Sequence, residues 1–188
     1  MPSSFALLLE TNRLIIRPFT AGDLATFIAY RNDPQVAVYQ GWSLPYTQAM
    51  ADEFLEEMRV SNPLEDTHWR QLVLEIKASG EMIGDVAFHR LSADPRQAEI
   101  GITLASRYQG KGYAGEAVSA LLDYLFGELK LHRVMATTDV ENTRAIRGLD
   151  RFGFRREAHF VENYPTENGY TSEYVYAMLD REWIGANP

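Results

Sequence analysis

The strongest constraint on this chain is a change of hydrophobic period in its middle third. Residues 69–77, 82–90 and 97–104 read as strands, separated by turn-like connections at 78–81 and 92–95. Connections this short make hairpins, so this part of the sheet is expected to be antiparallel. Then the period shifts. Ala114, Ala117, Val118, Leu121, Leu122, Leu125 and Leu129 recur on one face of a helix, the clearest amphipathic helix in the sequence. Hairpins that feed a long helix point to one mixed α/β domain.

The flanks extend this pattern. Residues 13–19 read as a first strand. Thr20 with Asp23 resembles a capping box, Leu24, Phe27 and Ile28 follow at helical spacing, and Pro34 is expected to stop that helix. Thr47 is placed to cap a second helix with Ala51, Phe54, Leu55 and Met58 on one face, followed by a polar loop at 61–67 around Pro63. Residues 132–140 form another strand, 142–152 a helix ended by Gly153, and 155–163 and 170–179 two closing strands around a loop at 165–169.

Composition narrows the function classes. The 188 residues are 46% hydrophobic and 23% charged, the balance of an ordinary globular protein rather than a disordered one. There is no cysteine, which excludes a disulfide scaffold, a thiolate nucleophile and cysteine-ligated metals, and suits a reducing cytoplasm. His68, His89, His132 and His159 show no metal-ligand spacing, so no metal site is expected. A net charge of −8 argues against nucleic acid as the main partner and leaves room for an amine substrate. Apolar residues 5–9 are too few to span a bilayer, and neither a targeting segment nor a membrane partner is expected.

Between the last hairpin strand and the helix lies Ser106-Arg107-Tyr108-Gln109-Gly110-Lys111-Gly112-Tyr113-Ala114-Gly115. A strand, a glycine-rich turn and a helix start make an anion site, because the first helical N–H groups have no intrahelical partner and glycine admits a phosphate closely. A glycine-rich connection flanked by solvated basic residues is the other reading. A Walker A loop is excluded, since Gly110-Lys111 is followed by Gly112 and not by Ser or Thr. Gly110, Gly112 and Gly115 do match a dinucleotide fingerprint, with Asp139 downstream. The hairpins before the loop and the single helix after Asp139 argue against that fold.

The same loop reads Gln109-x-x-Gly112-x-Ala114, and here the sequence resembles the GNAT superfamily of N-acetyltransferases, nearest the branch of ribosomal-protein N-terminal acetyltransferases. The matching pieces run in order: Thr11-Asn12-Arg13-Leu14-Ile15-Ile16-Arg17, Ile83-Gly84, Ala98-Glu99-Ile100-Gly101, the loop itself, Glu141-Asn142, Arg151-Phe152-Gly153-Phe154 and Arg181-Glu182-Trp183. The resemblance implies one domain over 1–188, recognisable from about 10 to 184. It implies a mixed, mostly antiparallel central sheet, flanked by helices and splayed where acetyl-CoA binds. It also implies that backbone groups of Ile102, Thr103 and Leu104 pair with the pantetheine arm and polarise the thioester. Backbone groups from Gln109 through Gly110, Lys111, Gly112 and Tyr113 to Ala114 would hold the diphosphate, and Asn142 would contact the pantetheine region. Asn142 is also a favoured helix N-cap, and both roles are compatible.

Glu99 matches the family's general-base glutamate, and a carboxylate there could take the proton of an incoming ammonium. It also reads as a structural carboxylate, with His89 and Glu173 as weaker alternatives. The chain departs from the family at the general acid, because the positions that carry Ser or Tyr in relatives are Ala145 and Leu149. Tyr164, Tyr170, Tyr174 and Tyr176 could supply a replacement hydroxyl. The expected activity is acetyl transfer from acetyl-CoA to a primary amine: a protein or peptide N-terminus, an amino acid, a polyamine or an aminoglycoside. A catalytically weak acyl-CoA sensor and, more remotely, a dinucleotide-dependent oxidoreductase stay open. So does a homodimer, and the acceptor lies with the least patterned regions, 36–46, 61–69 and 162–169.

Overall fold

Short-range hydrogen bonding sets most element boundaries in the computed structural model, which describes residues 7–60, 67–166 and 169–183. The chain forms two compact units. One comprises Met1–Arg90 with Ile102–Leu121, the other Leu91–Gly101 with Leu122–Pro188.

The first unit opens with β1 (Leu9–Glu10) and β2 (Leu14–Arg17), a 3₁₀ turn at Ala21–Asp23, and helices α1 (Leu24–Arg31), α2 (Pro34–Ala37) and α3 (Gln48–Val60). The Asp23 carboxylate accepts from the Thr20 N–H and hydroxyl, both at 2.8 Å, so the expected acidic half of the cap is formed. Pro34 plays a different part from the one expected. α1 already ends at Arg31, and Pro34 is the first residue of α2, where its missing N–H leaves no bond unmade; Asp33 caps that turn through Gln35 N–H at 2.9 Å. α3 follows the expected face, with Ala51, Leu55 and Met58 buried and Thr47 Oγ1 accepting from Met50 N–H at 3.3 Å. The core beneath these helices is aromatic: Phe27 stacks on Phe54 at 4.5 Å, and Phe19 meets both rings edge-on at 5.0 Å. Each fully buried ring of this kind contributes roughly 1.5–3 kcal/mol. The expected loop at 61–67 lies, for residues 61–66, outside the described residues.

β3 (Arg70–Ile76) and β4 (Glu81–Leu91) form the expected antiparallel hairpin. Leu74 pairs with Gly84 but Glu75 with Met82, so Ile83 bulges out of register. β5 (Asp94–Leu104) begins earlier than expected; Pro95 is exposed at its start, where a strand tolerates a missing N–H. The end of β5 leads through a 3₁₀ turn (Ser106–Tyr108) and the glycine loop into α4 (Tyr113–Leu122).

The long helix expected to Leu129 changes type. After Leu122 the chain continues as a π turn, Asp123–Glu128, closed by Leu129 N–H to Tyr124 O at 3.0 Å. The wider turn accommodates three consecutive buried residues, Tyr124, Leu125 and Phe126, which one α-helical stripe would not. In the second unit, β6 (Arg133–Asp139) pairs with β5 in parallel, joining Gln97, Ala98 and Glu99 to Arg133, Val134 and Met135. β6 alternates buried and half-buried residues, with Val134, Ala136 and Thr138 inward. Helix α5 (Thr143–Phe152) is capped by Asn142 and ends on Gly153 at φ 82°, a left-handed C-terminal position that glycine adopts without strain. β7 (Arg155–Thr166) and β8 (Gly169–Leu179) are antiparallel, and α6 (Asp180–Trp183) closes the described chain. The expected 165–169 loop is largely strand: Pro165 pairs with Tyr170 and Thr166 with Gly169, while 167–168 lie outside the described residues. Pro165 fits because β7 is an edge strand and needs no donor on its outer side. Strand order is β1-β2-β3-β4-β5-β6-β8-β7, an eight-stranded mixed sheet in which β5 contributes to both units. No helix among the described residues is long and apolar enough to cross a membrane.

Candidate functional site

The glycine loop is built by two residues in left-handed backbone conformations. Gly110 has φ 76° and Gly112 φ 83°, values that place a side chain in strain. Glu116 N–H to Gly112 O at 3.2 Å begins α4. Open space surrounds Gly110, where an added Cβ would meet nothing within 4 Å. The first N–H groups of α4 have no intrahelical partner, and the helix dipole favours an anion at this end. Gln109 Nε2 donates to Leu104 O at 3.0 Å, tying the loop to the end of β5. Lys111 Nζ lies 5.3 Å and the Arg107 guanidinium 5.0 Å from the Tyr108 ring centre, so both cations flank the loop on one aromatic platform.

Ile102, Thr103 and Leu104 precede this loop as the last residues of β5, with Thr103 and Leu104 buried. Gly84 on β4 packs directly against them: a Cβ there would lie 2.1 Å from Thr103 O and 2.9 Å from Leu104 Cα. Only a residue without a side chain permits that approach, beside the bulge at Ile83, whose carbonyl accepts from Ala105 N–H at 3.0 Å. The site residues Ile102 to Leu104 and Gln109 to Ala114 are thus one continuous structure of the first unit.

Glu99 and Asn142 belong to the second unit. The Thr137 hydroxyl on β6 donates to Glu99 Oε1 at 2.6 Å, which fixes one carboxylate oxygen. Asn142 Oδ1 accepts from Ala145 N–H at 3.1 Å, so the carbonyl half of this amide caps α5. Ala145 and Leu149 are half-buried on α5. His89 lies on Trp69, ring centres 4.3 Å apart, with Nδ1 3.2 Å from Arg90 O. Glu173 accepts from Asn163 Nδ2. Among the candidate tyrosines, Tyr176 is buried and burial raises its phenol pKa, Tyr174 lies under the Arg156 guanidinium at 4.4 Å, and Tyr164 and Tyr170 are exposed.

Two constellations had escaped the sequence reading. In the first unit, Asp85 is 2% exposed and accepts from the buried Tyr30 hydroxyl. Burial pushes its carboxyl up to about 6, against the opposing effects of the Arg31 charge and the Tyr30 hydrogen bond. Arg31 is buried with its guanidinium 4.1 Å from the Phe27 ring centre and 4.3 Å from that of Trp42. The available signal was a lone acid inside the apolar run from Met82 to Phe88. The second is Glu116 in the first turn of α4, which accepts from Thr11 Oγ1, from Arg13 N–H at 2.7 Å and from Arg13 Nε at 2.6 Å. Burial would raise its pKa, but these donors outweigh it and hold the carboxyl below its usual range.

Known proteins share this fold. The family model for the GNAT acetyltransferase domain matches residues 13–155. The chain belongs to the GNAT acetyltransferase family. Among curated relatives, the uncharacterized N-acetyltransferase YnaD of Bacillus subtilis is 32% identical, over 93% of this chain and 98% of its own. The spermidine N(1)-acetyltransferase of Vibrio cholerae is also 32% identical, over 92% and 96%. Among solved structures, a GNAT-family acetyltransferase from Bacillus anthracis superposes with TM-score 0.81 at 30% identity, covering 94% of this chain and all of its own. The Vibrio cholerae spermidine N-acetyltransferase in complex with CoA and spermine gives 0.79 at 27% identity, covering 93% and 99%.

This GNAT protein is an N-acetyltransferase with acetyl-CoA as cosubstrate. Its own residues are compatible with that molecule: two left-handed glycines, open space at Gly110 and the start of α4 are features that suit an anionic group such as a diphosphate. Among the described residues no group of three or more His, Asp or Glu side chains is placed to hold a metal ion.

Proposed function

We propose that this acetyltransferase moves the acetyl group to a primary amine by direct attack of the amine nitrogen on the thioester. The observation that carries this reading is the Gly110-Lys111-Gly112 cradle joined by Gln109 to the end of β5. Gln109 to Ala114 hold the diphosphate through backbone N–H groups, Ile102 to Leu104 engage the pantetheine arm, and Asn142 contributes its amide NH₂, its oxygen being used by the cap. In the reaction the C–N bond forms and the C–S bond breaks. Glu99 takes the ammonium proton, directly or through water, and the departing thiolate acquires a proton in turn. Holding the thioester beside the amine supplies much of the acceleration, and donors aimed at its oxygen supply most of the rest.

A polyamine is the favoured acceptor. The support is the likeness to the Vibrio cholerae spermidine enzyme over nearly the whole chain, together with a net charge of −8 that draws polycations. The N-terminal motif resemblance favours a peptide N-terminus instead, and this is the competing acceptor. One domain over residues 1–188, recognisable from about 10 to 184, acts in the cytoplasm. A second reading, acyl-CoA binding without efficient turnover, draws on Ala145 and Leu149, which offer no hydroxyl to the leaving thiolate.

The test has two parts. Saturating CoA should raise the melting temperature and NAD(H) should not; a ligand at 100 times its dissociation constant adds roughly 2.7 kcal/mol. Thiol release should then be measured with spermidine, aminoglycosides, amino acids and N-terminal peptides. Stabilisation by NAD and not CoA overturns the cosubstrate assignment, and CoA binding without turnover on any amine favours the second reading.

A further inference from the structure

We propose that Arg13 is a positioning residue for CoA, the centre of a latch that aims the diphosphate loop and cancels a carboxylate placed against it. The proposal rests on reading Gln109 to Ala114 as the diphosphate site. It assigns a task to the segment Thr11-Asn12-Arg13, which lies outside the loop and which the proposed chemistry leaves unused.

Arg13 approaches four residues of the loop and its helix. Its main-chain N–H and its Nε donate to the two oxygens of Glu116, at 2.7 and 2.6 Å. Its Nη1 donates to Lys111 O at 3.0 Å, its guanidinium lies 4.4 Å from the Tyr113 ring centre, and its Nη2 is 3.3 Å from where a Cβ on Gly112 would sit. Arg13 is itself anchored, since its carbonyl accepts from Lys77 N–H at 2.9 Å. The Thr11 hydroxyl completes the set on Glu116.

Two consequences follow from this geometry. The peptide joining Lys111 to Gly112 is planar and trans, so its C=O and N–H point in opposite directions. By holding Lys111 O, Arg13 turns the Gly112 N–H away from itself, and with it fixes one donor of the cradle. The second consequence is electrostatic. A carboxylate in the first turn of α4 suits the helix dipole but repels a diphosphate at the same end. Arg13 and Thr11 donate to both Glu116 oxygens, and the Arg13 guanidinium offsets its charge. Removing the Arg13 side chain would release the Lys111 carbonyl, free Glu116 Oε2 and leave the carboxylate charge without its cation, while the main-chain N–H and Thr11 still hold Oε1.

The experiment compares wild type with R13M, R13K, E116Q and R13M/E116Q, reading CoA affinity by calorimetry, melting temperature, and kcat and KM for acetyl-CoA and for S-acetylpantetheine, which lacks the diphosphate. R13M should raise the CoA dissociation constant and the acetyl-CoA KM about tenfold, the scale of one charge-assisted hydrogen bond, with kcat changed less than about twofold. S-acetylpantetheine kinetics should not move. R13K keeps the charge but not the fork, so it should fall between R13M and wild type; it also keeps the test open if R13M fails to fold. R13M/E116Q should bind CoA more tightly than R13M, because the uncovered carboxylate is gone. Equal losses on both acetyl donors, or R13M with wild-type CoA affinity, overturn the latch while leaving the loop assignment standing. No CoA binding by the wild type overturns the loop assignment itself.

Discussion

Replacing Gly84 by alanine should damage stability and cosubstrate positioning together, because β4 and the end of β5 touch through it. The added Cβ would lie 2.1 Å from Thr103 O, whereas ordinary contact begins at 3.4 Å, an overlap of 3.4 − 2.1 = 1.3 Å. Leu104 Cα at 2.9 Å is also backbone, so although the Leu104 Cδ2 at 3.0 Å could move aside, no rotamer change relieves the clash. One of the two strands must shift by about an ångström. Overpacking a well-filled site costs about 1–3 kcal/mol, and a backbone clash belongs at the upper end. For a chain of this length about 3 kcal/mol lowers the melting temperature by roughly 6–12 °C. Thr103 and Leu104 belong to the segment proposed to hold the thioester, and a misplacement near 1 Å can cost about 10²-fold in rate. Thermal melts and kcat/KM for acetyl-CoA should be read alongside Gly127→Ala, where an added Cβ meets nothing within 4 Å. A Gly84→Ala protein that melts with the wild type and keeps its kcat/KM would refute the argument that this close approach is rigid and matters to the site.

Three further changes probe the chemistry and the buried charge. Glu99→Gln should lower kcat by about 10²- to 10⁴-fold and change the pH–rate profile while CoA affinity holds; an unchanged rate and profile would leave Glu99 structural, held by Thr137, and turn attention to His89 and Glu173. Asp85→Asn should remove a pH dependence of stability. Burial raises the folded carboxyl from 3.8 to about 6, so the folded state holds the proton more tightly, and its contribution, full below pH 4, is lost as pH rises through about 6. That rise corresponds to about 3 kcal/mol, read as the difference between wild-type and Asp85→Asn urea midpoints across pH 4–7; parallel curves would contradict it. Ala145→Ser should raise kcat by less than the roughly 10²-fold that a full general acid supplies, without altering CoA affinity, since its N–H still donates to Asn142. No change would assign thiolate protonation to solvent or to a C-terminal tyrosine, to be separated by single Tyr→Phe variants.

What could be read directly from the sequence were the features decided within a few residues. Asn142 and Gly153 bracket α5 because a side-chain cap and a left-handed glycine act on the nearest turn, and both stand where the spacing put them. The glycine loop before α4 was legible for the same reason, as were the β3–β4 hairpin and the buried face of α3. The misjudged boundaries lie where a neighbouring element overrides local preference. Pro165 reads as a loop residue until it is known to sit on an edge strand. A helical stripe ending at Leu129 does not announce that Tyr124, Leu125 and Phe126 are all to be buried, and the π turn is the backbone's answer to that packing. The long-range side-chain pairs depend on register and packing. Glu99 meets Thr137 only because Gln97, Ala98 and Glu99 align with Arg133, Val134 and Met135, a choice made across a parallel pair whose two side chains are 38 residues apart in sequence. Arg13 and Glu116 are 103 residues apart, and Tyr30 and Asp85 are 55. Local hydrogen bonding and hydrophobic period carry information over one turn or one strand. Which charge is then covered, and which carboxylate is held and by what, follows only once strands are aligned and helices packed, so tertiary structure decided it.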